Sequence, residues 1–163
     1  MEQMCYITNY LIQASLYAEN SWEHIRKELS DVETLTEERL EAVIRRFLHD
    51  LKENALEGNG WPLMVPAYSI SKATLNAYTW ILAIKFPNMC INCVHPGYVK
   101  TDINWNTGTM SVEEGARGLV MLSLLPDGSP TGCYFVCTEV AEFCFSCSSI
   151  AACQDLTSAA WIL

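Results

Sequence analysis

Residues 92–102 read Asn-Cys-Val-His-Pro-Gly-Tyr-Val-Lys-Thr-Asp, an apolar run followed by a proline, a glycine and a polar end. A short apolar run bounded by such turn residues is typical of a buried strand, which we predict from Met89 to Val94. In open α/β sheets, ligands bind beyond the carboxyl ends of the strands. Residues 95–102 are therefore a candidate ligand-binding loop, and the alternative is an ordinary turn at the end of a strand.

A helix is predicted on each side of this strand. Upstream, residues 69–86 are rich in alanine and bulky apolar side chains, and Pro87 ends the pattern. Downstream, residues 111–114 (Ser-Val-Glu-Glu) fit a capping box for a helix that stops before Pro126. Residues 131–137 are predicted to form a last strand. The alternation of helix and strand is that of an α/β fold, with a parallel sheet covered on both faces.

An acidic segment precedes these elements, since residues 19–57 contain 11 of the 19 acidic residues. Within it, apolar residues recur with helical spacing at Leu40, Val43, Ile44, Phe47, Leu48 and Leu51. Residues 34–37 (Thr-Leu-Thr-Glu) fit a capping box at the start of this helix, and Gly58 and Gly60 are predicted to end it. We interpret the acidic side chains as its solvated face.

Composition limits the classes of function open to the chain. Its 163 residues are 50% hydrophobic and 18% charged, which is typical of a globular protein. The net charge of −9 argues against binding to nucleic acid or to an anionic membrane, because both attract positively charged surfaces. No apolar run is long enough to predict a transmembrane helix, and the first residues lack the basic region of a secretory signal. We therefore expect a cytoplasmic location.

The eight cysteines raise the alternative of a metal site. Cys90 and Cys93, and likewise Cys144 and Cys147, are separated by two residues, as zinc ligands often are. However, positions i and i+3 of a strand point to opposite faces, so the first pair fits a buried strand better than a zinc site. We predict no bound metal and expect reduced thiols.

Tyr68 and Lys72 are the strongest candidates for chemistry. At the start of a helix, residues i and i+4 lie on one face, so both side chains can meet around a common ligand. A free phenol has a pKa of about 10, and a cation about 4 Å away contributes roughly 4 kcal/mol at an effective dielectric constant of 20. Tyr68 is therefore a candidate general acid near pH 7, and the alternative is a solvated lysine beside a core tyrosine.

The combination of motifs closely resembles the short-chain dehydrogenase/reductases. The resemblance rests on residues 67–73 (Ala-Tyr-Ser-Ile-Ser-Lys-Ala) and on residues 92–102, with 24 residues from Lys72 to Pro96. Residues 35–39, 60–62 and 101–104 are similar to the carbonyl-reductase-like plant branch, the salutaridine reductase and neomenthol dehydrogenase type.

The resemblance implies the C-terminal part of a Rossmann-like, doubly wound parallel sheet. Residues 1–163 would form a single partial domain. Residues 19–60 would be a helical insertion that covers the active site and favours a monomer. Residues 144–163 match nothing in the family and are taken as an atypical tail.

The resemblance also implies the chemistry. Tyr68 would give its proton to the carbonyl oxygen of a small ketone or aldehyde as hydride arrives from NADPH. Lys72 would hold the nicotinamide ribose, and Ser15 is the candidate for the hydroxyl that polarises the carbonyl. The nicotinamide carboxamide would be held by Pro96, Gly97, Val99 and Thr101. Candidates for the substrate pocket are Tyr98, Asn104 and Trp105.

One departure from the family keeps two functions open. The glycine-rich fingerprint that seats a dinucleotide pyrophosphate is absent from the sequence. Gly58 and Gly60 do not replace it, because they follow a helix and a third glycine is lacking. NADP rather than NAD is implied by the family alone. The resemblance therefore implies an NADPH-dependent carbonyl reductase, active or inactive in this form, and the alternative is a non-catalytic fragment that binds a partner or a full-length relative.

Overall fold

The computed structural model describes residues 22–141. This part of the chain contains helices α1 (Glu23–Ser30), α2 (Glu37–Lys52), α3 (Pro66–Lys85) and α4 (Val112–Ser123), and a short 3₁₀ helix at Asp102–Asn104. Its strands are β1 (Cys93–His95), β2 (Tyr134–Val136) and β3 (Glu139–Ala141). None of its helices is long and apolar enough to cross a bilayer.

The three strands form one sheet in the order β1-β2-β3. β1 and β2 are parallel, with Val94 opposite Phe135, and β2 and β3 are antiparallel. Parallel strands need a crossover connection, which α4 provides between β1 and β2. The structure therefore confirms the predicted alternation of helices and parallel strands downstream of residue 66.

β1 is shorter than the predicted strand, and side chains take part in the pairing just before it, beside the backbone hydrogen bond from the Gly132 N–H to the Ile91 carbonyl. The Ile91 N–H donates to Thr131 Oγ1 at 2.9 Å. Asn92 Nδ2 donates to the Pro130 carbonyl at 3.0 Å, and Asn92 Oδ1 accepts from the Cys133 N–H at 2.9 Å. Asn92 is completely buried, so its amide joins the two chain segments away from water.

The sequence pattern did not predict β3. Only Cys137 and Thr138 connect it to β2, because Val136 pairs directly with Glu139. Cys137 has φ +56°, a left-handed conformation that two-residue hairpin turns require and that glycine, asparagine or aspartate usually supplies. The turn therefore lacks the residues by which such a hairpin is recognised.

Helix α2 differs from its prediction at both ends. Its N-cap is Thr36, whose hydroxyl accepts from the Arg39 N–H, two residues after the predicted cap. It ends at Lys52, well before the two glycines that were expected to stop it. Of the predicted apolar stripe, Leu48 and Leu51 are exposed, and the buried residues are Leu40, Val43 and Phe47.

Helix α3 begins three residues earlier than predicted. Pro66 is its first residue, a position that tolerates proline because the missing N–H would have no helical partner. The helix ends at Lys85, as Pro87 indicates. The capping box predicted for α4 is confirmed, because Ser111 and Glu114 each accept the other's backbone N–H.

Two apolar clusters form the core. The larger joins α1, α2 and α3 through residues such as Ile25, Phe47, Trp61 and Ile70. The smaller lies between α4 and the sheet and includes Val94, Leu122 and Phe135. Helix α3 is thus covered by the two upstream helices.

A buried polar contact fixes the end of α2 to the chain that leads into α3. The Trp61 indole N–H donates to Asp50 Oδ2 at 2.8 Å, and both residues are buried. The Trp61 ring also packs edge-on against Phe47, with the centroids 5.2 Å apart. The hydrogen bond from Trp61 holds the pKa of the Asp50 carboxyl below its ordinary value.

We expect Asn92→Ala to lower the free energy of unfolding by about 2–4 kcal/mol, because it leaves the partly buried Pro130 carbonyl and the buried Cys133 N–H without their partner. Asn88→Ala, in the exposed loop after α3, is the matched control and should change stability little. Urea unfolding followed by circular dichroism measures both. Equal stability of the two variants would show that Asn92 does not join the strands.

We expect Asp50→Asn to make stability less dependent on pH. Because the folded-state pKa of Asp50 lies below its ordinary value of 3.8, the ionised carboxylate stabilises the fold above that pH. This contribution is lost as the pH falls through the lowered pKa. The stability gap between wild type and Asp50→Asn should therefore be widest above pH 3.8 and narrow below it, in urea unfolding at a series of pH values.

The matched control is Asp127→Asn, which removes an exposed carboxylate from the loop between α4 and β2. Its gap to wild type should stay small at every pH. A gap for Asp50→Asn that does not change with pH would contradict the expectation.

Candidate active site

Tyr68 and Lys72 lie on one face of the first two turns of α3. Lys72 Nζ is 5.8 Å from the centroid of the Tyr68 ring, and both side chains are half-buried. The spacing of four residues thus brings the phenol and the ammonium together, as expected for a helix start. A cation within about 6 Å of a ring centroid is attracted to the face of the aromatic ring.

The residues before Tyr68 set the direction in which α3 starts. Val65 has φ +43° and ψ 54°, a left-handed conformation that is costly for a β-branched residue. It persists because Pro66 starts the helix and the Ser69 N–H donates to the Val65 carbonyl at 2.9 Å. Ser69 Oγ also donates to the Met64 carbonyl, at 3.3 Å. These contacts fix the first turn, on which Tyr68 stands.

The loop after β1 begins with a tight turn. The Gly97 N–H donates to His95 Nδ1 at 3.0 Å. Gly97 has φ +85°, and a Cβ at this position would lie 2.2 Å from Met110 Sδ. Glycine adopts this left-handed conformation without strain, whereas a larger residue would be strained here and would displace the Met110 side chain. Pro96, directly before it, is buried.

The next residues of the loop are paired along one edge with Met110. The Lys100 N–H donates to the Met110 carbonyl at 2.9 Å, and the Met110 N–H donates to the Tyr98 carbonyl at 3.0 Å. Successive residues of an extended chain point their hydrogen-bonding groups to opposite edges. The Val99 N–H therefore faces away from Met110. Thr101, at the end of this stretch, is half-buried and caps the 3₁₀ helix.

Close packing of α4 supports the same loop. A Cβ at Gly115 would lie 2.3 Å from Val99 Cγ2, so the helix approaches Val99 closely. A Cβ at Gly118 would lie 2.0 Å from the Cys137 carbonyl oxygen, at the turn between β2 and β3. The two glycines let α4 lie against the carboxyl end of the sheet.

We infer that α3 brings its first turns to this same end of the sheet. Near its C-terminus, Trp80 Nε1 donates to the Gly132 carbonyl at 2.8 Å, and the Gly132 N–H donates to the Ile91 carbonyl at 2.8 Å. The end of α3 thus lies beside the start of β1. In α/β units a helix runs antiparallel to the strand it covers, so the start of α3 and the loop after β1 lie at the same end.

The remaining predicted residues divide into two groups. Ser15, the pair Cys144 and Cys147, and the 144–163 tail lie outside the described residues. Cys90 and Cys93 are buried, and their thiols donate to the carbonyls of Ser129 and Cys133. Within residues 22–141, no group of three His, Cys, Asp or Glu side chains is placed to hold a metal ion.

The three substrate-pocket candidates differ in their surroundings. Trp105 is 90% exposed, and the Tyr98 hydroxyl forms a hydrogen bond with Thr107 Oγ1. The Asn104 side chain instead bonds the backbone of Val99 and Thr101. The hydrogen bond that His95 accepts from the Gly97 N–H in the turn was not predicted from the sequence. The signal for it is a hydrogen-bonding side chain two residues before a glycine.

Comparisons with known proteins identify the family, although no family model matches the chain. The chain is 48% identical over 137 residues to short-chain dehydrogenase/reductase 1 of Saponaria officinalis. The aligned region covers 84% of this chain and 45% of that relative. It is 48% identical over 115 residues to salutaridine reductase of Papaver somniferum, covering 71% of this chain and 37% of the relative. The solved structure of that reductase superposes with a TM-score of 0.70 at 40% identity, covering 83% of this chain and 46% of the other.

The chain belongs to the short-chain dehydrogenase/reductase family. The predicted family, its plant branch and the partial Rossmann-like α/β fold are thereby confirmed. A more distant relative, from Mus musculus, is named carbonyl reductase [NADPH] 3 and is 36% identical over 122 residues, covering 69% of this chain and 43% of the relative. The chain spans less than half the length of each of these relatives.

Proposed function

We propose that this member of the short-chain dehydrogenase/reductase family reduces the carbonyl of a ketone or aldehyde to an alcohol with NADPH. The observation that supports this most directly is the juxtaposition of Tyr68 and Lys72, 5.8 Å apart from ring centroid to Nζ, at the start of α3. A phenol beside a cation is a proton donor whose ionised form is stabilised.

Tyr68 is proposed as the general acid. NADPH, when bound, supplies the hydride that adds to the carbonyl carbon. The Tyr68 O–H gives its proton to the carbonyl oxygen, which becomes the hydroxyl of the alcohol. The phenolate left behind faces the Lys72 ammonium and regains a proton from solvent. Ser15 is proposed as the hydroxyl that polarises the carbonyl.

The loop after β1 is proposed to hold the amide end of the cofactor. The donor set fits this group, because the Val99 N–H faces away from Met110 and Thr101 offers a hydroxyl close by. Pro96 and Gly97 fix the turn from which these groups project. Lys72 is proposed to bind the ribose hydroxyls. The choice of NADPH over NADH is supported by the name of the mouse relative.

Residues 19–60 are proposed to be the helical insertion that covers the site, within a single partial domain over residues 1–163. Helices α1 and α2 both pack against α3, which carries Tyr68. A face of α3 covered in this way supports the proposal that the protein is a monomer. A cytoplasmic location belongs to the same proposal and rests on the composition given above.

Titration of the purified 163-residue chain with NADPH, followed by nicotinamide fluorescence, tests cofactor binding. Loss of NADPH absorbance with a panel of aliphatic and aromatic ketones and aldehydes tests turnover. We expect Tyr68→Phe to lower kcat by at least about 100-fold, because the proton donor is removed, with little change in NADPH affinity. Lys72→Met should weaken NADPH binding and lower kcat together.

Tyr78→Phe on the same helix and Lys52→Ala at the end of α2 are the matched controls, and both should behave as wild type. Unchanged turnover in Tyr68→Phe would refute Tyr68 as the acid. A folded chain that neither binds NADPH nor oxidises it would favour the alternative, a non-catalytic fragment that binds a partner or a full-length relative.

A further inference from the structure

The side chain of Asn104 makes two hydrogen bonds to one stretch of backbone in the loop after β1. Asn104 Nδ2 donates to the Val99 carbonyl at 2.7 Å. Asn104 Oδ1 accepts from the Thr101 N–H at 3.1 Å. One amide therefore pairs with a carbonyl and an N–H two residues apart, as a neighbouring strand would.

This pairing occupies the edge of the loop opposite Met110. On that edge the Thr101 carbonyl accepts from the backbone N–H of Asn104 at 3.2 Å and from that of Asn106 at 2.9 Å. With the Val99 carbonyl and the Thr101 N–H bonded to Asn104, the Val99 N–H is the one backbone donor on this edge to which no bond within residues 22–141 is assigned. Asn104 thus leaves a single donor for a ligand oxygen.

The shape of the loop is costly to maintain. Trp105 and Asn106 both have left-handed backbone conformations, with φ +56° and +58°. Such conformations in residues other than glycine persist only where the surrounding contacts hold them. The Asn104 side chain supplies two of those contacts at the point where the loop leaves Val99.

We propose that Asn104 is a positioning residue, whose side-chain amide fixes residues 99–101 so that the Val99 N–H is presented to the carboxamide oxygen of a nicotinamide. This inference rests on the proposed function. It replaces the role in the substrate pocket predicted for Asn104 from the sequence. A donor held in place before binding lowers the cost of binding, because no loop has to be ordered.

Asn104→Asp tests the inference with a side chain of the same shape. The carboxylate still accepts from the Thr101 N–H, but it cannot donate to the Val99 carbonyl and repels it. We expect the Kd for NADPH to rise about tenfold, as for the loss of one hydrogen bond. Hydrogen exchange of the peptide covering residues 96–104 should become faster, whereas the thermal midpoint should stay close to that of wild type.

The matched control is Asn106→Asp, which adds the same charge two residues away, where the side chain bonds the exposed Asp102 carboxylate. It should keep the wild-type Kd. Reduced nicotinamide mononucleotide is the second probe, because it carries the amide end without the adenosine. Asn104→Asp should weaken both ligands by the same factor. A partly unfolded variant would also do so, and an unchanged thermal midpoint excludes that explanation.

A measurement on the unmodified chain keeps the inference testable if Asn104→Asp does not fold. In ¹H–¹⁵N spectra, either ligand should shift the Val99 amide signal and slow its exchange. The Lys100 amide, which is bonded to the Met110 carbonyl, should change little. An unchanged Val99 amide in the bound state would overturn the inference.

The outcomes separate the inference from the proposed function. If wild type binds and Asn104→Asp binds equally well, the positioning role is wrong and the proposed function stands. If wild type binds neither NADPH nor the mononucleotide, the proposed function fails for this chain and the role of Asn104 fails with it.

Discussion

The pairing of β1 with β2 is the constraint on which the rest of the site depends, and the buried Asn92 amide controls it. By bonding the Pro130 carbonyl and the Cys133 N–H, Asn92 fixes which residues of the two strands lie opposite each other. A shift of the register would move the loop after β1 relative to the turn after β2. The close approach of Gly118 to Cys137, and of Gly115 to Val99, requires that both chain segments leave the sheet at these positions.

Helix α3 links this sheet to the helical segment upstream of it. Its later turns are tied to the sheet by the hydrogen bond from Trp80 to Gly132, and its buried face packs into the cluster shared with α1 and α2. The bond between Asp50 and Trp61 closes that cluster at the end of α2. The orientation of Tyr68 and Lys72 therefore follows from packing along the whole helix, together with the proline that starts it.

The sequence predicted those elements whose ends are set by local chemistry. The capping box at Ser111 and the proline after α3 act within a single turn, and the structure follows both. Predictions failed where distant contacts decide the outcome. Side chains of Thr131 and Asn92 take part in the pairing just before β1, which is shorter than predicted, and α2 ends before its glycines. The hairpin before β3 turns through a cysteine, for which no sequence pattern exists.

The candidate site shows the same division between local and distant information. The helical spacing of Tyr68 and Lys72 fixes their proximity, so these residues could be recognised from the sequence. The contacts of Asn104 could not be predicted, because its hydrogen bonds to Val99 and Thr101 depend on a loop conformation that no spacing encodes.

The contacts described around Tyr68 and in the loop after β1 all come from residues 22–141. The glycine-rich turn that binds the phosphates of a dinucleotide is a different structural element, and the sequence does not contain its motif. The pair formed by Tyr68 and Lys72 and a glycine-rich phosphate-binding turn are therefore different parts of a dinucleotide-binding fold. Binding of the nicotinamide end alone, measured apart from turnover, is consequently the property that connects this structure to the chemistry of its relatives.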